Sequence, residues 1–315
     1  MNIVFLDSAT LGDTDLSPIG ALGELVCYPL TRPDEVVPRL KDAEVCITNK
    51  VRMTRDILVK LPKLRLICEA ATGTDNIDLD AAAELGIEVK NVAGYSTMSV
   101  VQTTIALYMA LTERVLDMNG YVRGEYAASG MFTDHSHPFS DLGGMTWGII
   151  GMGAIGKGVA KVAEAMGAKV IYHSTTGSNT AVEGYECAQS LEDLLKRADV
   201  VSIHCPLNER TRGLIGAEEF RIMKRTALII NVARGGIIDE EAMVEALSDG
   251  TIAGAGLDVF SREPLPEDSP LINNGLTDKQ LILTPHIAWT SRQARQRLTE
   301  GIARNIREWK QQNIT

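Results

Sequence analysis

The stretch Thr146-Trp147-Gly148-Ile149-Ile150-Gly151-Met152-Gly153-Ala154-Ile155-Gly156 limits the fold of this chain more than any other. An apolar run enters it, and glycines follow at the spacing G-x-G-x-x-G. A helix-patterned segment then leaves with Val159, Val162, Ala163 and Met166 on one face. Gly167 stops that segment, and a second apolar run from Ala168 to Tyr172 follows. The glycine spacing alone is a weak signal; strand, turn, helix and strand in that order make it specific. In such a unit Gly151 permits the tight turn, Gly153 lets backbone approach a pyrophosphate, and Gly156 lets helix pack on strand. The first helical residues, Ala154 and Ile155, then offer unpaired N–H groups and a partial positive charge to phosphates. A dinucleotide site is therefore predicted at Gly151, Gly153, Ala154, Ile155 and Gly156.

The rest of the chain has to supply sheets on which such a unit can sit. Before residue 100, the apolar runs Ile3–Leu6, Leu25–Tyr28, Val45–Thr48, Leu66–Cys68 and Ile87–Val92 alternate with helix-like segments such as Leu79–Leu85. A second series begins at Thr146, with runs at Trp147–Ile150, Lys169–Tyr172, Val200–Cys205, Ala227–Val232, Ala255–Val259 and Leu281–Leu283. Alternation of this kind predicts an α/β fold with two doubly wound parallel sheets, the larger of Rossmann type. A length of 315 residues agrees with two domains. Between the two series Met98–Met118 reads as one buried helix, apolar over a wide arc, and Gly120–Gly144 as an irregular surface loop. After them, Thr290–Gln312 is amphipathic, with Ala294, Leu298, Ile302, Ile306 and Trp309 on one side. Its apolar side has to cover something, and the first domain is the natural candidate. Its arginines (Arg292, Arg295, Arg304, Arg307) read as a solvated face rather than a partner site.

Composition removes several function classes. A net charge of -10 argues against nucleic acid and against an anionic membrane surface. No apolar run has the length of a membrane span, and no basic leader precedes Asn2–Leu6, so a cytoplasmic protein is expected. The five cysteines form no C-x-x-C pair and read as reduced, mostly buried thiols. His135 and His137 lie two apart without a third ligand in spacing, so no metal is expected.

Parallel sheets bind ligands beyond the carboxyl ends of their strands. The residues just past each run therefore deserve inspection: Gly151, Ser174, Pro206, Arg234, Asp258–Glu263 and His286. Arg234 stands between a strand end and Gly235-Gly236; Asp258-Val259-Phe260 leads to Glu263-Pro264; His286 follows Thr284-Pro285. Singly, each has an ordinary explanation, such as a surface ion pair for the arginine or a structural role for the histidine. In this order, with Gly73-Thr74-Asp75-Asn76-Ile77-Asp78 and Gly94-Tyr95-Ser96-Thr97, the chain resembles the D-isomer-specific 2-hydroxyacid dehydrogenase family over essentially its whole length. Within that family it looks most like the glycerate dehydrogenase (hydroxypyruvate reductase) branch.

The resemblance implies an NAD(P)-dependent oxidoreductase that moves a hydride between nicotinamide and a small 2-keto acid. Hydroxypyruvate and D-glycerate are the expected pair; phenylpyruvate, 2-ketoisocaproate, glyoxylate and pyruvate are the alternatives. It also implies roles. His286 matches the acid/base histidine, Glu263 its carboxylate partner, and Arg234 the substrate-binding arginine. Reduction places negative charge on the carbonyl oxygen, which an imidazolium can protonate and a guanidinium can stabilise. Thr72 and Gly73 match positions whose backbone meets the substrate carboxylate. Apart from the resemblance, Asn49 lies in the loop Thr48–Thr54, whose polar residues either face the substrate side chain or are simply solvated. Asp258 matches a place near the nicotinamide carboxamide, and Pro206, Thr211 and Val232 match the cofactor wall.

One position departs from the usual pattern. NAD-using sheets carry Asp or Glu about 20 residues beyond the glycines, at the ribose 2′-OH. Ser174 stands there instead, followed by Thr175 and Thr176, with no Arg or Lys beside them. These hydroxyls accept either cofactor, and the want of a basic group leans toward NAD. The resemblance further implies a cofactor domain over 101–288, a discontinuous substrate domain over 1–100 and 289–315, and a homodimer formed through the cofactor domain. Some relatives of this fold act instead as cofactor-sensing corepressors. The absence of long disordered flanks weighs against that alternative.

Overall fold

The computed structural model describes residues 1–136, 138–178 and 181–313. The chain forms two compact units, Met1–Ser96 with Trp289–Thr315, and Thr97–Ala288.

The first unit is built on a five-stranded sheet. Its strands are β1 (Asn2–Phe5), β2 (Glu24–Cys27), β3 (Val45–Thr48), β4 (Leu66–Glu69) and β5 (Glu88–Lys90), in the order β2-β1-β3-β4-β5. Every pairing is parallel. Successive side chains of a strand point to opposite faces, and both faces here are covered. Ile3, Phe5, Val45, Ile47, Leu66 and Cys68 share a core with Ala294, Leu298, Ile302, Ile306 and Trp309 of the helix Arg292–Asn313. Val4, Leu6, Cys46 and Ile67 pack on the other side with Val36, Leu40, Leu58 and Ala81. The tail thus covers the first sheet, and each fully buried Leu or Ile along it contributes about 1.5–3 kcal/mol. Contact is close: a Cβ on Gly301 would lie 2.4 Å from a Val92 methyl.

The second unit carries a seven-stranded sheet. Its strands are β6 (Thr146–Ile150), β7 (Lys169–His173), β8 (Glu186–Cys187), β9 (Val200–Ile203), β10 (Leu228–Asn231), β11 (Gly254–Leu257) and β12 (Leu281–Leu283). Their order is β12-β11-β10-β9-β6-β7-β8, again all parallel. The helix Thr97–Thr112 presses on the sheet so tightly that a Cβ on Gly256 would sit 3.1 Å from the Leu107 Cβ. Both sheets accord with the α/β, doubly wound expectation.

Three details differ from the sequence reading. The single helix expected over Met98–Met118 ends at Thr112, and a second one runs from Val115 to Gly124. The break falls at Arg114, whose φ is +50° and whose guanidinium is held by Asp117 (Nε–Oδ2 2.8 Å). Beyond it Val115 and Leu116 are exposed, so burial no longer enforces one straight helix. The segment expected to be irregular includes a short helix, Tyr126–Ser129. Strand β8, two residues long, was not anticipated, because two residues carry no readable alternation.

Candidate active site

The glycine turn leaves the sheet where the strand order reverses, between β6 and β9. Ile150 pairs with both His173 and Ile203, so Gly151, Ser174 and His204 all emerge at one edge. The three glycines do different work. Gly151 has φ +97°, and a Cβ there would lie 2.7 Å from the Cys205 nitrogen. A Cβ on Gly156 would lie 2.3 Å from the Gly151 carbonyl oxygen. Those two serve the fold. A Cβ on Gly153 would meet nothing within 4 Å. It would project into open space above the helix Ala154–Ala165, whose first turn no side chain caps. Open space and uncapped N–H groups at Ala154 and Ile155 fit a pyrophosphate.

Other predicted cofactor positions line the same edge. Ser174 and Thr175 are half-buried just beyond β7, where Ser174 and Thr176 hydroxyls approach at 3.5 Å. Pro206 is exposed, whereas Thr211 is fully buried and donates to the Pro206 carbonyl at 2.6 Å. Thr211 therefore shapes the turn that displays Pro206. Val232 is buried just past β10. His204 also emerges here, but burial pushes its pKa down to about 3, so it is neutral at pH 7 and no source of protons.

Arg234, Glu263 and His286 follow three adjacent strands. Asn231 of β10 pairs with Leu257 of β11, which pairs with Leu283 of β12. The loops are pressed together: a Cβ on Gly235 would fall 1.8 Å from the Phe260 carbonyl carbon. The Asn231 side chain accepts from the Ala233 N–H (3.0 Å) and donates to the Arg234 carbonyl (2.8 Å), which fixes the backbone that carries the guanidinium.

His286 sits in the left-handed region, at φ +54°. A non-glycine residue there costs on the order of 1–3 kcal/mol and persists only where its surroundings hold it. Asp258 is what holds it. One carboxylate oxygen accepts from the Thr284 hydroxyl (2.6 Å) and the Ile287 N–H (2.8 Å); the other accepts from the Ala288 N–H (2.8 Å). Asp258 is wholly buried, and burial pushes its pKa up while these donors oppose the shift. The nicotinamide contact expected of Asp258 is thus joined by a structural task that sequence reasoning missed: its carboxylate clamps the turn bearing His286. The His286 Nδ1 lies 2.7 Å from Glu263 Oε2, and Glu263 Oε1 accepts from the Phe260 N–H at 3.1 Å. Against a carboxylate, Nδ1 carries the hydrogen, which leaves Nε2 to exchange a proton.

In the first unit, Thr72 is exposed and Gly73 half-buried in the loop after β4. The Asn91 amide donates to the Thr72 carbonyl at 2.5 Å. Asn49 points inward: it is 4% exposed, and its amide donates to the Ala70 carbonyl at 2.8 Å. Its side chain ties two loops together rather than facing outward. His137, half of the histidine pair considered for a metal, lies outside the described residues. Among the described residues no group of His, Cys, Asp and Glu could hold a metal ion, and no helix is long and apolar enough to cross a membrane.

The chain is similar to known proteins over almost its whole length. Residues 105–288 match the family described as D-isomer specific 2-hydroxyacid dehydrogenase, NAD binding domain. The chain is 40% identical to the glycerate dehydrogenase of Methylorubrum extorquens, over 99% of this chain and 98% of that one. It is 38% identical to the hydroxypyruvate reductase of Blautia hydrogenotrophica, over 98% and 97%. A solved structure of D-lactate dehydrogenase from Aquifex aeolicus, complexed with NAD and lactic acid, superposes with a TM-score of 0.85 at 28% identity, covering 99% of this chain and 96% of that one. The chain belongs to the D-isomer-specific 2-hydroxyacid dehydrogenase family. It is an oxidoreductase that uses a nicotinamide cofactor, and the sensor alternative gains no support from these relatives.

Proposed function

We propose that this enzyme interconverts hydroxypyruvate and D-glycerate, with His286, Glu263 and Arg234 as its catalytic residues. The observation that carries the reading is the His286–Glu263 pair at 2.7 Å, on a backbone held in an unfavourable conformation by Asp258. The bound nicotinamide supplies the hydride. His286 delivers a proton from Nε2 to the oxygen on which charge develops, and Glu263 orients the ring and balances its charge. Arg234 grips the 2-oxo acid through its fork of N–H donors. Thr72 and Gly73 offer backbone N–H groups to the substrate carboxylate. Asp258, Val232, Pro206 and Thr211 shape the wall against the nicotinamide.

Support for hydroxypyruvate comes from the Methylorubrum and Blautia relatives, which match over nearly the full chain. Between Ser174 and Ser178 stand hydroxyls and no Arg or Lys to bind a 2′-phosphate, which favours NAD(H). The test is oxidation of NADH and NADPH in parallel against hydroxypyruvate, glyoxylate, pyruvate, phenylpyruvate and 2-ketoisocaproate. The expected result is the highest kcat/KM with NADH and hydroxypyruvate. Preference for another acid overturns the substrate, and NADH binding without turnover on any acid overturns the catalytic assignment.

A homodimer is part of the same proposal. Val115, Leu116, Val122, Met131, Phe132 and Phe139 expose large apolar side chains within 25 residues of chain, Leu116 at 84% and Phe132 at 88%. Monomers rarely leave so dense an apolar set uncovered, and a second copy of the same face would cover it by two-fold pairing. The expected solution mass by light scattering is twice 34.1 kDa. A monomeric mass would remove the dimer.

A further inference from the structure

At the carboxyl end of the five-stranded sheet lies a set of buried polar side chains that no step above uses. Glu69, the last residue of β4, is fully buried in an otherwise apolar strand. Its Oε2 accepts from the Asn76 amide at 3.0 Å, and its Oε1 has no partner. The same Asn76 amide donates to the Val51 carbonyl at 3.1 Å, and the Asn76 carbonyl accepts from the Met53 N–H at 2.8 Å. Asp7, beyond β1, accepts from the Asn49 N–H (3.0 Å) and the Lys50 N–H (2.7 Å), while the Asn49 amide donates to the Ala70 carbonyl. Two loops, Asn49–Met53 and Ala70–Asn76, are thus stitched to each other and to β1. The second contains Thr72 and Gly73.

We propose that Glu69 is a positioning residue: acting through Asn76, its buried carboxyl group holds the Ala70–Asn76 loop in the shape that receives the substrate carboxylate. This rests on the reading of Thr72 and Gly73 given above. The chemistry of the pocket determines the form in which Glu69 acts. An ionised carboxylate there would keep one oxygen without any donor, an expensive arrangement in an interior. A neutral acid still accepts from Asn76 through its carbonyl oxygen, though less strongly than a carboxylate, and it leaves only an uncharged O–H unpaired. Burial, with the charge of Asp7 assisting, pushes the Glu69 pKa up to about 9, so the acid is neutral at pH 7. The titratable groups around it are Asp7 beyond β1, Lys50 beyond β3, Asp75 in its own loop, and the thiols of Cys46 in β3 and Cys68 in β4. Of these, Lys50 favours the charged form and the acids oppose it. Above that pKa the proton leaves to solvent, and a negative charge arises behind the loop that must accept an anion. Substrate affinity then falls while the nicotinamide site, in the other unit, is untouched.

The test is KM for the 2-oxo acid and for NADH, with kcat, from pH 6 to 10, in the wild type, Glu69→Gln and Glu69→Ala. Glu69→Gln reproduces the neutral acid. Its KM should equal the wild-type value at pH 7, and the wild-type KM should exceed it severalfold by pH 10. Any pH dependence of the chemical step is common to both proteins and cancels in that ratio. Glu69→Ala should hold KM for the 2-oxo acid about tenfold above the Glu69→Gln value at every pH, the loss of one well-placed hydrogen bond, with KM for NADH unchanged. A wild-type to Gln ratio that stays flat with pH overturns the proposal. So does a Glu69→Ala enzyme with lowered Tm and unaltered KM, which is what a purely structural carboxyl predicts. If Glu69→Gln does not fold, Asn76→Ala tests the same bridge and should raise the same KM. If the wild type reduces no 2-oxo acid, the functional reading fails instead. Tm still probes the pocket: Glu69→Gln should gain on the wild type as pH rises from about 5 to 9, and equal Tm values across that range overturn the proposal.

Discussion

His286→Ala lowers turnover by about 10²-fold or more, the usual contribution of a general acid, and leaves NADH affinity unchanged. The size of the effect follows from the geometry. Glu263 engages Nδ1 at 2.7 Å, so the ring is aimed before substrate arrives and no reorganisation precedes proton delivery. His204, beyond β9, cannot substitute, because it is held neutral by burial. The pyrophosphate cradle at Gly153 lies at β6, separated from β12 by the three strands β11, β10 and β9, so removing the imidazole leaves that cradle intact. Steady-state kcat with a fluorescence titration of NADH separates the two quantities. A variant with near-wild-type turnover would remove His286 from the mechanism.

Asp258→Ala should cost both fold and function. The substitution takes away the acceptor of the Ile287 and Ala288 N–H groups and leaves the Thr284 hydroxyl only the more distant Leu257 carbonyl, at 3.4 Å. Each unsatisfied donor costs about 1–3 kcal/mol. A loss of at least about 3 kcal/mol is expected, or roughly 6–12 °C in Tm for a unit of this size. The same three bonds keep His286 at φ +54°, a conformation it leaves once they are gone. Turnover should therefore fall about as far as in His286→Ala, although the imidazole is still present. Asp258→Asn is an informative companion, since its amide nitrogen would face a donor where the carboxylate now accepts. A variant with lowered Tm and full turnover would show that the clamp stabilises the sheet without aiming the histidine.

These two residues also mark where the sequence is legible and where it is not. Arg234, Glu263 and His286 could be found because parallel strands end at one edge, so residues just past apolar runs converge there whatever their separation along the chain. The glycines at 151, 153 and 156 were readable for a similar reason: the spacing is local and the flanks are periodic. The Asp258 clamp joins residues 26 to 30 apart, and it depends on the register of β11 against β12, which no local pattern encodes. Glu69 was hidden by its own strand, where an acidic residue after Leu66-Ile67-Cys68 reads as the point at which burial stops. Asn49 was read in a loop that either faces the substrate or is solvated, but its amide turns inward to the Ala70 carbonyl. The break at Arg114 escaped because apolar residues continue past it at helical spacing, and only the missing partner surface ends the helix.

The tail helix has a consequence for the birth of the protein. Strands β1 to β5 are synthesised before the residues that seal one face of their sheet, Ala294 to Trp309, with the whole of Thr97–Ala288 made in between. The unit spanning Thr97–Ala288 is contiguous and can close its core during translation. The first sheet must wait, with Ile3, Phe5, Ile47 and Leu66 uncovered on that side, until the tail helix has been made. Of the two sheets, the one made first is thus the last to be finished. Over that interval its bare apolar face is a ready target for chaperones, or for another unfinished copy emerging on the same messenger.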